Sequence, residues 1–84
     1  MNIDIPHYDS ADGFKYHWED GFEITVTTSN NEVVIGANKA GLISLATQLL
    51  TLAQDTVPQD YHIHLDDSNS LEDGSSALII QRIR

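Results

Sequence analysis

The stretch Tyr61-His62-Ile63-His64-Leu65-Asp66 holds three side chains whose types and spacing suit joint chemistry. Successive side chains alternate along an extended chain, so His62, His64 and Asp66 share one side of a strand. Two imidazoles and a carboxylate are ligands that zinc or nickel accept. Same-side neighbours stand about 7 Å apart, however, so chelation requires them to lean inward. A fourth ligand would have to arrive from His7 or His17. The plainer reading is a polar row on the solvent face of a half-exposed sheet, and no metal or other cofactor is expected.

The second constellation is acidic. Asp66, Asp67, Glu72 and Asp73 crowd one loop, and paired carboxylates can do acid/base work or hold calcium. The run lacks the glycine and the closing glutamate of an EF-hand loop. Its setting is more informative. Between Lys39 and Arg82 there is no Lys or Arg, while Asp55, Asp60, Asp66, Asp67, Glu72 and Asp73 all fall there. Over the whole chain 13 acids face 4 bases, a formal net charge of −9. That field opposes a nucleic-acid backbone or an anionic membrane surface, and attracts a basic protein. The candidate partner-binding set is therefore Asp66, Asp67, Glu72 and Asp73, with Glu19, Asp20, Glu23 and the strand residues Tyr61, His62 and His64 as neighbours.

Other chemistry finds little support. The chain has no cysteine, which removes disulfides, thiolate zinc sites and thiol catalysis. Ser75 and Ser76 follow Gly74 without a nucleophile-elbow pattern, and Gly36 and Gly41 lack phosphate-loop spacing. Phe14, Tyr16 and Trp18 have too few basic neighbours for a nucleic-acid stacking platform and are assigned to the core. Met1 to Pro6 carries Asp4 and no base, and no apolar run nears the roughly 20 residues of a membrane span. A cytoplasmic location is expected.

The elements that must position these groups follow from periodicity. Eighty-four residues make one domain, 1–84, with residues 1–12 as a loose arm and a short strand at Ile3–Ile5. Phe14, Tyr16 and Trp18 alternate with polar residues as a strand, and Asp20-Gly21 is a hairpin signal leading to a second strand, Phe22 to Thr27. After the turn residues Ser29, Asn30 and Asn31, Val33 to Ile35 gives a third. Leu42, Leu45, Ala46, Leu49 and Ala53 then recur at helical spacing, with Asn38 as N-cap and Pro58 as stop, so a helix is expected from Lys39 to Asp55. Its other side, Ser44, Thr47, Gln48, Thr51 and Gln54, is polar yet uncharged, which predicts a largely covered helix. Tyr61 to Asp66 alternates again, and Leu78-Ile79-Ile80 reads as a strand buried on both faces. The sum is α+β: a single antiparallel sheet, β-β-β-α-β-β, with one long helix packed across one face.

Two stretches together carry a family likeness. Asn38-Lys39-Ala40-Gly41-Leu42-Ile43-Ser44-Leu45-Ala46 with its leucine-rich continuation, and His62-Ile63-His64-Leu65-Asp66-Asp67 followed by Leu71-Glu72-Asp73-Gly74-Ser75, resemble immunity protein family 32 of bacterial polymorphic-toxin systems. That class includes contact-dependent growth inhibition. The likeness spans about Gly36 to Ile83 and leaves residues 1–35 as a place for toxin-specific features. It implies a cytosolic, non-enzymatic protein that binds and neutralises one cognate toxin, and it implies no role for the histidines. Many such toxins are nucleases with basic clefts, so the expected partner is a basic nuclease domain held by a monomer in a 1:1 complex, without direct nucleic-acid or membrane contact. Readings from other classes are a small metal-binding accessory protein using the His-x-His-x-Asp row, or an acidic DNA mimic.

Overall fold

The computed structural model describes residues 1–84, in the order β1 (Ile24–Ser29), β2 (Glu32–Ala37), α1 (Lys39–Leu52), β3 (His62–Leu65) and β4 (Leu78–Gln81). The class is α+β, but the strands form two separate two-stranded antiparallel sheets, β1–β2 and β3–β4, and not one sheet. The β1–β2 hairpin pairs Ser29 with Glu32 across Asn30 and Asn31, whose φ angles of 52° and 65° are those of a type I′ turn.

The first expected strand explains the missing sheet. Residues 14–19 are extended yet join no ladder. Their backbone is claimed by helix side chains. Gln48 accepts from the His17 N–H at 3.0 Å and donates to the His17 carbonyl at 2.7 Å, and the Ser44 hydroxyl accepts from the Glu19 N–H at 2.8 Å. The Asp20-Gly21 signal makes a turn, closed by Phe22 N–H to the Glu19 carbonyl, with no paired strand before it. The arm is also tied down. Gln54 accepts from the Tyr8 N–H and donates to the Pro6 carbonyl, Tyr8 is buried, and no strand forms at Ile3–Ile5.

The helix begins where expected. Asn38 caps it by accepting from Gly41 N–H at 2.8 Å, and its amide also donates to the Gly21 carbonyl at 2.9 Å. It stops at Leu52, short of Asp55, and Arg82 satisfies carbonyls at and beyond its end: the guanidinium reaches Leu52 O at 3.1 Å and Gln54 O at 2.7 Å.

The face the helix buries is the larger correction. Ser44, Thr47, Gln48 and Thr51 are buried, together with Gly41, Leu45 and Leu52. The apolar stripe, which Leu50 and Leu52 widen, contributes only Leu45 and Leu52 to the core. Leu42, Leu49 and Leu50 are 56%, 47% and 48% exposed. The polar residues can go inside because each is satisfied, either by the backbone of His17 and Glu19 or by the carbonyl four residues back: Ser44 to Ala40, Thr47 to Ile43, Thr51 to Thr47. No buried side-chain polar atom lacks a partner.

The core is correspondingly small. Ile24, Val26, Leu45, Leu65 and Leu71 form its main cluster, with Trp18, Phe22, Ala37 and Leu78 packed against it. Tyr8, Leu52 and Val57 form a second, against Phe14, Tyr61 and Ile80. Tyr16 is not core, being 44% exposed, although its ring stacks on Trp18 at 5.8 Å. Ile79 also departs from expectation. β4 has one partner strand, so its outer face is open and Ile79 lies exposed beside His64.

Candidate functional site

The acidic loop between β3 and β4 is built by its own side chains. The Asp66 carboxylate accepts from the Ser68 N–H at 2.9 Å and the Ser68 hydroxyl at 2.8 Å. Asn69 accepts from Asp66 N–H and donates to the His64 carbonyl, and Asp67 accepts from Gly74 N–H at 3.2 Å. The Ser68 hydroxyl, then the Ser68 amide, holds the Asp66 carboxyl below its ordinary value, with His64 adding to this. Asp66 is thus committed to shaping the loop. Asp67, Glu72 and Asp73 remain exposed on it.

The loop is anchored on β1. Glu72 N–H donates to the Ile24 carbonyl and Ser76 N–H to the Val26 carbonyl, each at 2.9 Å or less. This anchoring brings Glu72 to the rim of a shallow depression shared with Glu23, Thr25 and Asn38. Two expected site residues from distant parts of the chain therefore meet. Others do not join them. Glu19 pairs with His17 at 2.8 Å and, with Asp20, borders a depression lined by Lys39 and Ile43. Tyr61 packs into the aromatic cluster, its ring 5.6 Å from Tyr8 and 5.9 Å from Phe14. His62 and His64 share the exposed face of β3, as alternation requires, and His64 lies 3.7 Å from Asp66. No three His, Asp or Glu side chains converge as a metal-holding group.

Charge pairing across the molecule is sparse. Among the 13 acids Asp12 alone has a lysine or arginine partner, Lys15 at 3.8 Å; Glu19 and Asp66 are near histidines. Arg82, which could have neutralised a carboxylate, is spent on backbone carbonyls instead. The loop acids therefore face solvent with their charge uncompensated, a surface suited to a cationic partner.

The family model described as Immunity protein 32 matches residues 32–83, more than half of the sequence. The chain belongs to the Imm32 family. No curated protein and no solved structure matches. The matched span contains β2, α1, β3, the acidic loop and β4. It supports a role in toxin immunity and leaves out the arm and β1. No helix of this Imm32 protein is long and apolar enough to cross a membrane.

What sequence reasoning missed is the apolar exterior: Val33, Val34 and Ile35 on β2, and Leu42, Leu49 and Leu50 on α1, are all close to half exposed or more. The uncharged side of α1 already predicts that this side is covered, though not that the leucines are left outside. The polar face of α1 carries no charge between Ala40 and Gln54, which is what a face turned inward requires.

Proposed function

We propose that this Imm32 protein neutralises a basic toxin domain, a nuclease, by laying the acidic surface of Asp67, Glu72, Asp73 and Glu23 over the toxin's phosphate-binding cleft. The observation that carries the reading, beyond family membership, is the set of exposed loop acids without cationic partners. A phosphodiester-cleaving site needs positive charge around its substrate, and an acidic protein both occupies that site and is steered to it. Inhibition of this kind is non-enzymatic, needs no cofactor, and takes one immunity chain per toxin domain in the cytoplasm where the toxin would act. Glu19, Asp20 and the His62–His64 face flank the contact.

The test is a competition assay against a candidate toxin domain. The variant is Asp67→Lys, Glu72→Lys and Asp73→Lys together, with Asp66 kept because it shapes the loop. Association should slow by an order of magnitude or so, and wild-type association should fall as salt rises. Unchanged affinity for the triple variant removes the acidic loop from the interface.

A further inference from the structure

β2 is an edge. Its only partner is β1, and no backbone bond outside the ladder reaches residues 32–37. Asn38 N–H donates to the Glu23 carbonyl, which fixes the alternation of the antiparallel pair. The N–H and C=O groups of Val33, Ile35 and Ala37 therefore point outward. The free edge of β1 is closed by Glu72 and Ser76, whereas that of β2 is bare. Val33 and Ile35 lie on the face that also carries Val26, and they are 62% and 45% exposed. An apolar strand with an open edge is a template for another strand. Next to it in the chain, and touching it, α1 leaves Leu42, Leu49 and Leu50 uncovered.

We infer that this Imm32 protein forms a two-fold dimer in which β2 pairs antiparallel with β2 of a second copy, the Leu42–Leu49 flank of α1 packing across the join.

Surface area supports an identical partner. The accessible surface is 5603 Å². A compact monomer of 9.3 kDa exposes about 5,000 Å². The excess, roughly 600 Å², is comparable with the ~800 Å² per partner of an ordinary stable interface.

Charge points to the same occupant. From Val33 to Gln54 the only charged residue is Lys39, so no acid lies in that segment although 13 lie elsewhere. Two chains of charge −9 repel, and this face brings few acids together: Glu32 of one copy stands opposite Asn38 of the other, whose amide holds the Glu23 carboxylate at 3.2 Å. The register is also free of conflict. Pairing centred on Ile35 sets Val33 opposite Ala37, Glu32 opposite Asn38 and Asn31 opposite Lys39, so every outward backbone group finds a partner and no like charges oppose. The contact is isologous, as a two-fold interface must be. This revises the expected monomer in a 1:1 complex. The depression bordered by Glu23 and Glu72 is also lined by Gly36 and Ala37 of β2, so the pairing edge adjoins one margin of the toxin-binding surface, whereas Asp67 and Asp73 do not line it.

The test is oligomeric state, by sedimentation and light scattering at tens of micromolar. The wild type should have twice the 9.3 kDa chain mass. Val33→Lys with Ile35→Lys, both exposed sites, should give a folded monomer by circular dichroism, and Leu42→Lys with Leu49→Lys should weaken the dimer at least tenfold. Raising salt should tighten the dimer, opposite in sign to toxin binding, because it screens repulsion and spares apolar burial. A monomeric wild type overturns the inference, as does a folded Val33→Lys/Ile35→Lys chain that remains dimeric, or a dimer that salt loosens. If the wild type is monomeric and the folded Val33→Lys/Ile35→Lys variant loses toxin binding, the edge belongs to the toxin and the dimer inference is overturned. The two experiments stay distinguishable because the loop variant leaves residues 32–37 unchanged and the β2 variant leaves Asp67, Glu72 and Asp73 unchanged.

Discussion

Gln48 is the side chain on which the arrangement of the first half of the chain turns. It is fully buried, and its amide makes three hydrogen bonds: to the His17 carbonyl at 2.7 Å, to the Ser44 carbonyl at 2.7 Å, and from the His17 N–H at 3.0 Å. Gln48→Ala strands both backbone groups of His17. A buried backbone group left unpaired costs about 1–3 kcal/mol, and the emptied volume adds a cavity term. His17 itself is exposed, so water recovers part of the loss, and a total of about 2–4 kcal/mol is expected. For a chain of this length each 1 kcal/mol is about 4–8 °C of Tm, so Tm should fall by roughly 10–25 °C. Gln48→Glu separates hydrogen bonding from shape. The carboxylate keeps an acceptor for His17 N–H but loses the donor and buries a charge. It should be at least as damaging as alanine near neutral pH and recover in acid, where the protonated group donates again. Thermal denaturation gives the magnitude, and amide exchange at His17 and Glu19 gives the location. A Tm loss below about 4 °C for Gln48→Ala, with both amides still protected, would refute the view that helix side chains hold the extended segment.

Two further predictions follow from local geometry. Gly41→Ala, which gains about 1 kcal/mol in an open helix, should destabilise this protein, because the added methyl would collide with the Glu23 carbonyl and press within 3.0 Å of Ala37 and Ile24; a rise in Tm would contradict that packing. Asp66 has a folded-state carboxyl held below its ordinary 3.8 by Ser68, so its contribution to loop order is complete above 3.8 and is lost as pH falls through the lower folded value. The Ser68 amide resonance should titrate there, and should show no such step in Asp66→Asn.

The parts of the fold visible in the sequence were those with local causes. Asn38 was legible as a cap because its hydrogen bond spans three residues, and the β3 alternation because period two is a local pattern. The Asn30-Asn31 turn was legible because asparagine tolerates positive φ. What failed was long-range competition for backbone groups. Phe14 to Glu19 has a strand's pattern, but a strand needs a neighbour, and whether that neighbour is a strand or Gln48 and Ser44 is decided 25 to 31 residues away. The same competition turned the helix. Apolar spacing identified α1 correctly but left Leu42, Leu49 and Leu50 on the wrong side, since His17 and Glu19 offer backbone hydrogen bonds that leucines cannot use. For the site, grouping by sequence found the loop acids but not the meeting of Glu72 with Glu23, which depends on the loop docking against β1.

The inverted helix bears on function as well as on folding. A monomer selected for stability alone would gain by exchanging the two faces of α1. Each half-exposed leucine forgoes about 1 kcal/mol of burial, and each buried polar group must be matched by a partner to break even. Here the polar face is matched completely and the leucines are left outside beside an unpaired strand edge. That arrangement leaves apolar surface whose burial by a second copy would be favourable. The acids are excluded from the same surface and concentrated on the opposite kind of surface, exposed and unpaired. Apolar surface binds without needing charge, and charge steers without needing apolar area. The molecule thus divides into a face suited to its own copy and a face suited to a cationic partner, and both lie largely within the span that defines the Imm32 family.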